Sequence, residues 1–194
     1  TRIKEVAEDG NVRYIVIKYS KSFIAKLIQS DENTKRCYSQ IKNSLLSYKG
    51  VKSRISWKWE AFRAGRNTVA KLRLRGKTLS LCLALNADDY TGTKFHVESL
   101  SDVKSFSDTP CLYRIKNERR LRYSADLIAD LMRKNGMEEN EIAPAVDYAA
   151  QFPYETTEAL IGRKLIKVLT DEEAQSGTQF APVDIRRSVS VKEA

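Results

Sequence analysis

The side chains with the most to offer chemically in this 194-residue chain are its cations. Between Lys49 and Lys77 stand ten of them, Lys49, Lys52, Arg54, Lys58, Arg63, Arg66, Lys71, Arg73, Arg75 and Lys77, against one acid, Glu60. Lys52, Arg54 and Lys58 alternate with apolar residues in one run, and Lys71, Arg73 and Arg75 do so in a second. A two-residue spacing puts such side chains on one face of a β-strand. If the two runs pair as neighbours, these six form one positive surface, with Arg63 and Arg66 in the connection. Such a surface suits a phosphate backbone, whose counterions it would release. The expected nucleic-acid-binding residues are therefore Lys52, Arg54, Lys58, Arg63, Arg66, Lys71, Arg73 and Arg75. Two plainer roles fit the same residues: a solvated sheet face whose long cations blunt edge pairing, or a docking face for an acidic protein partner.

Trp57 and Trp59 could stack on unpaired bases. They share the alternation of Ile55, so core packing is the expected role. Arg114, Lys116, Arg119, Arg120 and Arg122 crowd the start of a predicted helix, where cations oppose the helix dipole and a bound anion would relieve them. Cys37, Cys82 and Cys111 are odd in number, widely spaced and without a C-x-x-C pair, and His96 is the single histidine. That set fits neither a disulfide framework nor a zinc site; buried, reduced thiols are expected. The carboxylate pairs Asp88/Asp89 and Glu172/Glu173 are adjacent in sequence, which implies no acid/base geometry. GRNTVAKL lacks the spacing of a phosphate-cradling loop. No catalytic residue, metal ligand or cofactor is expected, and the chain reads as non-enzymatic.

The elements that would carry the cations can be read from periodicity. Val12, Tyr14 and Val16, then Phe23, Ala25 and Leu27, alternate as one or two strands. Ser30 or Asp31 caps a helix through Thr34, Tyr38, Ile41, Leu45 and Tyr48, closed by Gly50. Strands are predicted over 51–61, 68–75 and 79–85, the last two joined by a hairpin at Gly76. A long polar connection over 86–109 holds a short element near Ala87 to Tyr90. A further strand over 110–116 leads to a helix from Asn117 to about Lys134, ended by Asn135 and Gly136. Short helices are expected over 145–151 and from Thr156 or Thr157 to Gly162, followed by apolar Leu165, Ile166, Val168 and Leu169. The fold class is α+β: an antiparallel sheet of four to five strands with two main helices on one face, plus a small helical C-terminal appendage.

With 42% hydrophobic and 30% charged residues the composition is that of a folded globular protein. The net charge of +9 is uneven: residues 1–136 carry 28 basic and 14 acidic groups, and residues 137–194 carry 6 and 11. The predicted organisation is an N-terminal strand or linker over 1–18, an α+β domain over 19–136, a small acidic unit over 137–175 and a linker over 176–194. The acidic segment could fold back over the basic face as a tethered competitor. No apolar run reaches bilayer length and no secretory signal opens the chain, so a cytoplasmic location without membrane contact is expected. A start at Thr1 and an end in a polar stretch suggest a piece of something longer.

The stretches YSKSFIAKLIQSDENTK, LLSYKGVKSRISWKWEAF, AKLRLRGKTLSLCLAL and LYRIKNERRLRYSADLIADLM, spanning Tyr19 to Met132, resemble a family of uncharacterised bacterial proteins. The order of elements is similar to that of the MmcQ/YjbR- and YdhG-like α+β domains, which resemble the frataxin fold. The resemblance implies either DNA binding or iron chaperoning, and no established catalytic motif. Longer relatives carry a part similar to ribosomal protein uL15 after segments like PYETTEALIGRKLIKVL, which raises a role as an interaction module near the ribosome. A frataxin-like metal chaperone would need an acidic ridge on the first helix. Here that helix starts with Asp31 and Glu32 but continues with Lys35, Arg36 and Lys42, which disfavours it. The expected function is polyanion binding, most of all of nucleic acid.

Overall fold

A computed structural model describes residues 2–6, 12–140 and 144–169. The expected linker over 176–194 and the end of the acidic unit lie outside these residues. Strands β1 (Arg2–Val6) and β2 (Val12–Val16) pair with each other. After β3 (Lys18–Lys21) come α1 (Phe23–Ile28) and α2 (Glu32–Leu46). Four strands follow: β4 (Val51–Ile55), β5 (Glu60–Ala64), β6 (Asn67–Arg75) and β7 (Thr78–Leu83). The short β8 (Glu98–Ser99), β9 (Cys111–Ile115), α3 (Glu118–Lys134), α4 (Thr157–Gly162) and β10 (Ile166–Leu169) complete the chain. The main sheet is antiparallel, six strands in the order β4-β5-β6-β7-β9-β8, one more than the four to five expected; β10 pairs with β3 in a separate two-stranded sheet. The fold is thus α+β. Among the described residues no helix is long and apolar enough to cross a membrane.

The two long helices form where the apolar spacing and caps require them. Asp31 accepts a hydrogen bond from Thr34 N at 2.7 Å, and Cys37, Tyr38, Ile41 and Leu45 form the buried stripe of α2. Asn117 caps α3 through Arg120 N at 2.9 Å, and Leu121, Leu127, Ile128, Leu131 and Met132 face the core. These stripes pack on the sheet face that carries Phe62, Leu72, Leu81 and Tyr113. Each large side chain fully buried there contributes about 1.5–3 kcal/mol. The Gly65-Arg66 and Gly76-Lys77 loops link β5 to β6 and β6 to β7, each with a positive φ at glycine that other residues resist.

Three expected elements differ. Phe23, Ala25 and Leu27 belong to a helix: Ser22 Oγ accepts from Ala25 N and starts α1, whose one and a half turns bury Phe23 with Leu27 and also Ile28. The strand expected over 51–61 is broken, because Ser56 N and Oγ both donate to Trp59 O, at 2.8 and 2.7 Å, and close a turn. The helix expected over 145–151 is a single 3₁₀ turn at Ala149–Gln151. Asn43 holds the backbone before it extended, accepting from Val146 N and donating to Val146 O. Beyond that turn Phe152 packs edge-on against Tyr38 at 5.8 Å, and Leu160 and Ile166 enter the same core.

An ion pair sits inside that core. Glu60 is 0% exposed, and Tyr38 Oη donates to its Oε2 at 2.7 Å. Lys42, 7% exposed, donates to Tyr38 Oη at 3.1 Å and brings Nζ to 2.8 Å from Glu60 Oε1 as an ion pair. The Tyr148 ring covers the ammonium at 4.4 Å. Burial first and the Glu60 charge second push the Tyr38 phenol well above its ordinary range, so it remains a donor. Removing one partner of such a buried pair costs about 3–5 kcal/mol, whereas replacing both by apolar groups is often neutral. Urea denaturation of Glu60→Ala should therefore show a loss of about that size, and Lys42→Met combined with Glu60→Leu should recover most of it. A double variant as unstable as the single one would contradict this.

Candidate nucleic-acid interface

The sheet face turned away from the helices carries the cations. Register puts Lys52 opposite Arg63 and Arg54 opposite Ala61, which is in turn opposite Lys71. The two basic runs are therefore not neighbours: β5 lies between them. Ser56–Trp59 also reverses the alternation, since Val51 faces inward at an odd position while Glu60 and Phe62 face inward at even ones. The phase change takes Trp59 out of the expected core. It is half-buried on the outer face, stacked on Phe106 at 5.3 Å beside Cys82 and Leu112. Trp57 is also half-buried; its carbonyl accepts from Phe23 N at 2.7 Å, and Lys167 Nζ lies 4.7 Å from its ring.

The eight expected residues separate into three groups. Lys52, Arg54 and Arg63 are exposed on β4 and β5, with Arg66 exposed in the adjoining hairpin, and none of the four forms an ion pair among the described residues. Lys58, Arg73 and Arg75 line a groove of about 400 Å³ farther along the sheet, together with Lys21 and Lys26. Lys71 stands apart. It is 6% exposed, donates to Ser105 O at 2.9 Å and pairs with Asp108. Its ammonium is spent on holding the connection before β9, which lays Phe106 across the outer face, so Lys71 is not part of the exposed cationic surface. Burial pushes the Asp108 carboxyl up, but the hydrogen bond and charge of Lys71 and a bond from Thr68 outweigh this and hold it below the usual carboxylate range.

Arg73 differs from its neighbours. Its guanidinium lies 4.5 Å from the Phe106 ring centre, and its Nε is buried with no hydrogen-bond acceptor. Lys26 is close: burial first and the Arg73 charge second lower its pKa. Lys21 and Lys26 were absent from the sequence expectation because residues 23–27 read as a strand. Recognising Ser22 as a cap would have turned Lys26 into the last turn of a helix.

The cysteines and the histidine do not line this groove. Cys37, Cys82 and Cys111 are all buried, and burial raises each thiol, Cys82 and Cys111 to about 11. That is the opposite of an activated thiolate. His96 is exposed in the loop after the Ala87–Tyr90 turn. In the run from β9 into α3, Arg114 pairs with Glu98 and donors of Arg119 and Arg120 reach Tyr123 and the Arg114 carbonyl. Within the acidic segment Glu138 pairs with Lys49, and the backbone beside it follows α2 and then β3. No described carboxylate of that segment pairs with the eight residues, so its described part is not the competitor the charge asymmetry suggested.

No family model, curated protein or solved structure matches the chain.

Replacing Lys71 tests the division of the surface. Lys71→Met should lower stability by about 1–3 kcal/mol, the scale of a lost hydrogen bond to a charged group. Polyanion affinity, read by fluorescence polarisation well below the melting temperature, should change less than about twofold, since no exposed charge is lost. An affinity loss as large as that of an Arg63→Ala variant would place Lys71 in the binding surface after all.

Proposed function

We propose that the chain is a non-catalytic module that binds a polyanion, nucleic acid in particular, through Lys52, Arg54, Arg63 and Arg66. The observation that supports this reading most is that, among the described residues, no carboxylate pairs with this row of exposed cations on the sheet. Lys52 and Arg63 are direct cross-strand partners. Like charges so placed repel, and a phosphate bridging them would relieve the repulsion. Charge on an edge strand also discourages strand addition, but a single lysine there would serve that purpose. Four cations on two strands and their hairpin exceed it. Contacts of this kind are to the backbone and carry no base information, so the reading includes no sequence preference.

The test is a salt series. Neutralising about four duplex phosphates gives a slope of log affinity on log salt near about −3.6. Lys52→Ala with Arg63→Ala, both exposed and expected to fold normally, should flatten the slope by about two units. Polarisation titrations of labelled duplex at several salt concentrations read both. No binding at low salt, or an unchanged slope in the double variant, would remove the proposal. An acidic polypeptide that displaces the duplex at equal charge would redirect it to a protein partner.

A further inference from the structure

The groove beside this row has a composition of its own. Its walls hold five cations, Lys21, Lys26, Lys58, Arg73 and Arg75, and no carboxylate. Its apolar lining is Leu74 and three aromatic rings, Trp57, Trp59 and Phe106. The Arg73 Nε is a buried donor without an acceptor, an unfavourable state that an incoming anionic oxygen would end. Lys26 is partly desolvated next to Arg73, so two like charges share a low-dielectric wall with nothing of opposite sign between them. A second depression of about 520 Å³ shares Lys21 and Lys26 with the first and continues past Asp31, whose carboxylate caps α2 through Thr34 N, to Lys77 and Tyr154. Tyr154 is 68% exposed, the most exposed of the large hydrophobic side chains.

Cations alternating with aromatic rings along a channel match a ligand that alternates phosphates with planar apolar rings. We propose that the two joined depressions seat a segment of single-stranded nucleic acid, its phosphates held by Lys26, Lys58, Arg73 and Arg75 and its bases set against Trp57, Trp59 and Tyr154. This rests on the polyanion-binding reading above and narrows it. A duplex keeps its bases stacked inside and offers only its outer backbone, which the exposed row can meet but the groove cannot. Bases splayed from a single strand reach aromatic side chains, and each such stack is worth about 1–3 kcal/mol, or roughly five- to 150-fold in affinity. The first depression is of the size that takes one small ligand. The second extends the site beyond one nucleotide.

The two tryptophans of the chain both line the first depression, so intrinsic tryptophan fluorescence reports this site alone. The full chain is titrated at low salt with oligothymidylate, oligouridylate, a duplex of equal phosphate count, heparin and inorganic phosphate. Both single strands should quench the fluorescence in a saturable way; duplex and heparin should bind, by polarisation, with little quenching. Lys58→Ala with Arg75→Ala, both exposed, should weaken single-strand binding by about tenfold or more. Tyr154→Ala should weaken it by about fivefold and leave the plateau of quenching unchanged. Circular dichroism melts establish that each variant is folded. Single strands that bind no tighter than duplex and leave the tryptophans unquenched would overturn the groove while the polyanion reading survives. So would inorganic phosphate that displaces oligothymidylate fully at its own phosphate concentration. Failure of every polyanion to bind would end both.

Discussion

Glu60 is a carboxylate without solvent in the centre of the domain, and much of the surface follows from how it is held. Its two oxygens are met by Tyr38 and Lys42, both from α2, so the charge fastens the helix to β5 at a fixed height and angle. An apolar residue at that position would tolerate sliding; an ionic one does not, because a displaced carboxylate loses partners it cannot replace from water. The residue directly before it is Trp59. Anchoring Glu60 therefore fixes the end of the Ser56–Trp59 turn, and Phe23 N fixes its middle by bonding Trp57 O. The turn is how the core reaches the outer face: it sets the place of Trp57, Lys58 and Trp59, which line the groove.

The distribution of carboxylates across the domain gives the outer face its polarity. Toward β8, β9 and α3 several cations have carboxylate partners: Arg114 with Glu98, Lys94 with Asp126, Lys134 with Asp89. The exposed cations of β4, β5 and the end of β6 have none among the described residues. Exposed pairs contribute little to stability, a fraction of a kcal/mol up to about 1 kcal/mol each, so their placement matters more for the field than for the fold. Pairing on one side and excess on the other concentrates positive potential over half the sheet. That favours encounter with an anion approaching from that side.

Much of this was legible in the residues. Asn117 reads as a cap and is one, Asp31 is the cap of the pair Ser30 and Asp31, Thr156 that of the pair Thr156 and Thr157, and the Gly76 hairpin is where the alternation of Leu74 and Leu79 places it. The sequence also shows Glu60 as the sole acid among ten cations, without showing that it turns inward. That inversion depends on Ser56, whose hydroxyl and amide close a turn inside what looks like an unbroken two-residue period, and a one-residue phase change exchanges inside for outside. Read without that turn, Trp59 falls in the core, two strands merge into one and the two basic runs become neighbours. The role of Lys71 was hidden for a different reason: Asp108 and Ser105 lie more than thirty residues away, and nothing local marks the loop that returns over it. Lys26 was hidden because Phe23, Ala25 and Leu27 satisfy a strand pattern as well as a short helix, and only the Ser22 cap decides between them.

The pairing of β3 with β10 joins nearly the two ends of the described chain. Lys21 belongs to β3 and Lys167 to β10, so the rim beside Trp57 is assembled from segments far apart in the sequence. Loop closure over such a separation costs entropy that no local contact repays, which places it late among folding events. During translation the helices and the six-stranded sheet can form while β3 still lacks its partner, leaving that strand's hydrogen-bonding edge open. A chain cut short before Ile166 would therefore lose the partner of β3 and with it the Lys167 ammonium beside Trp57.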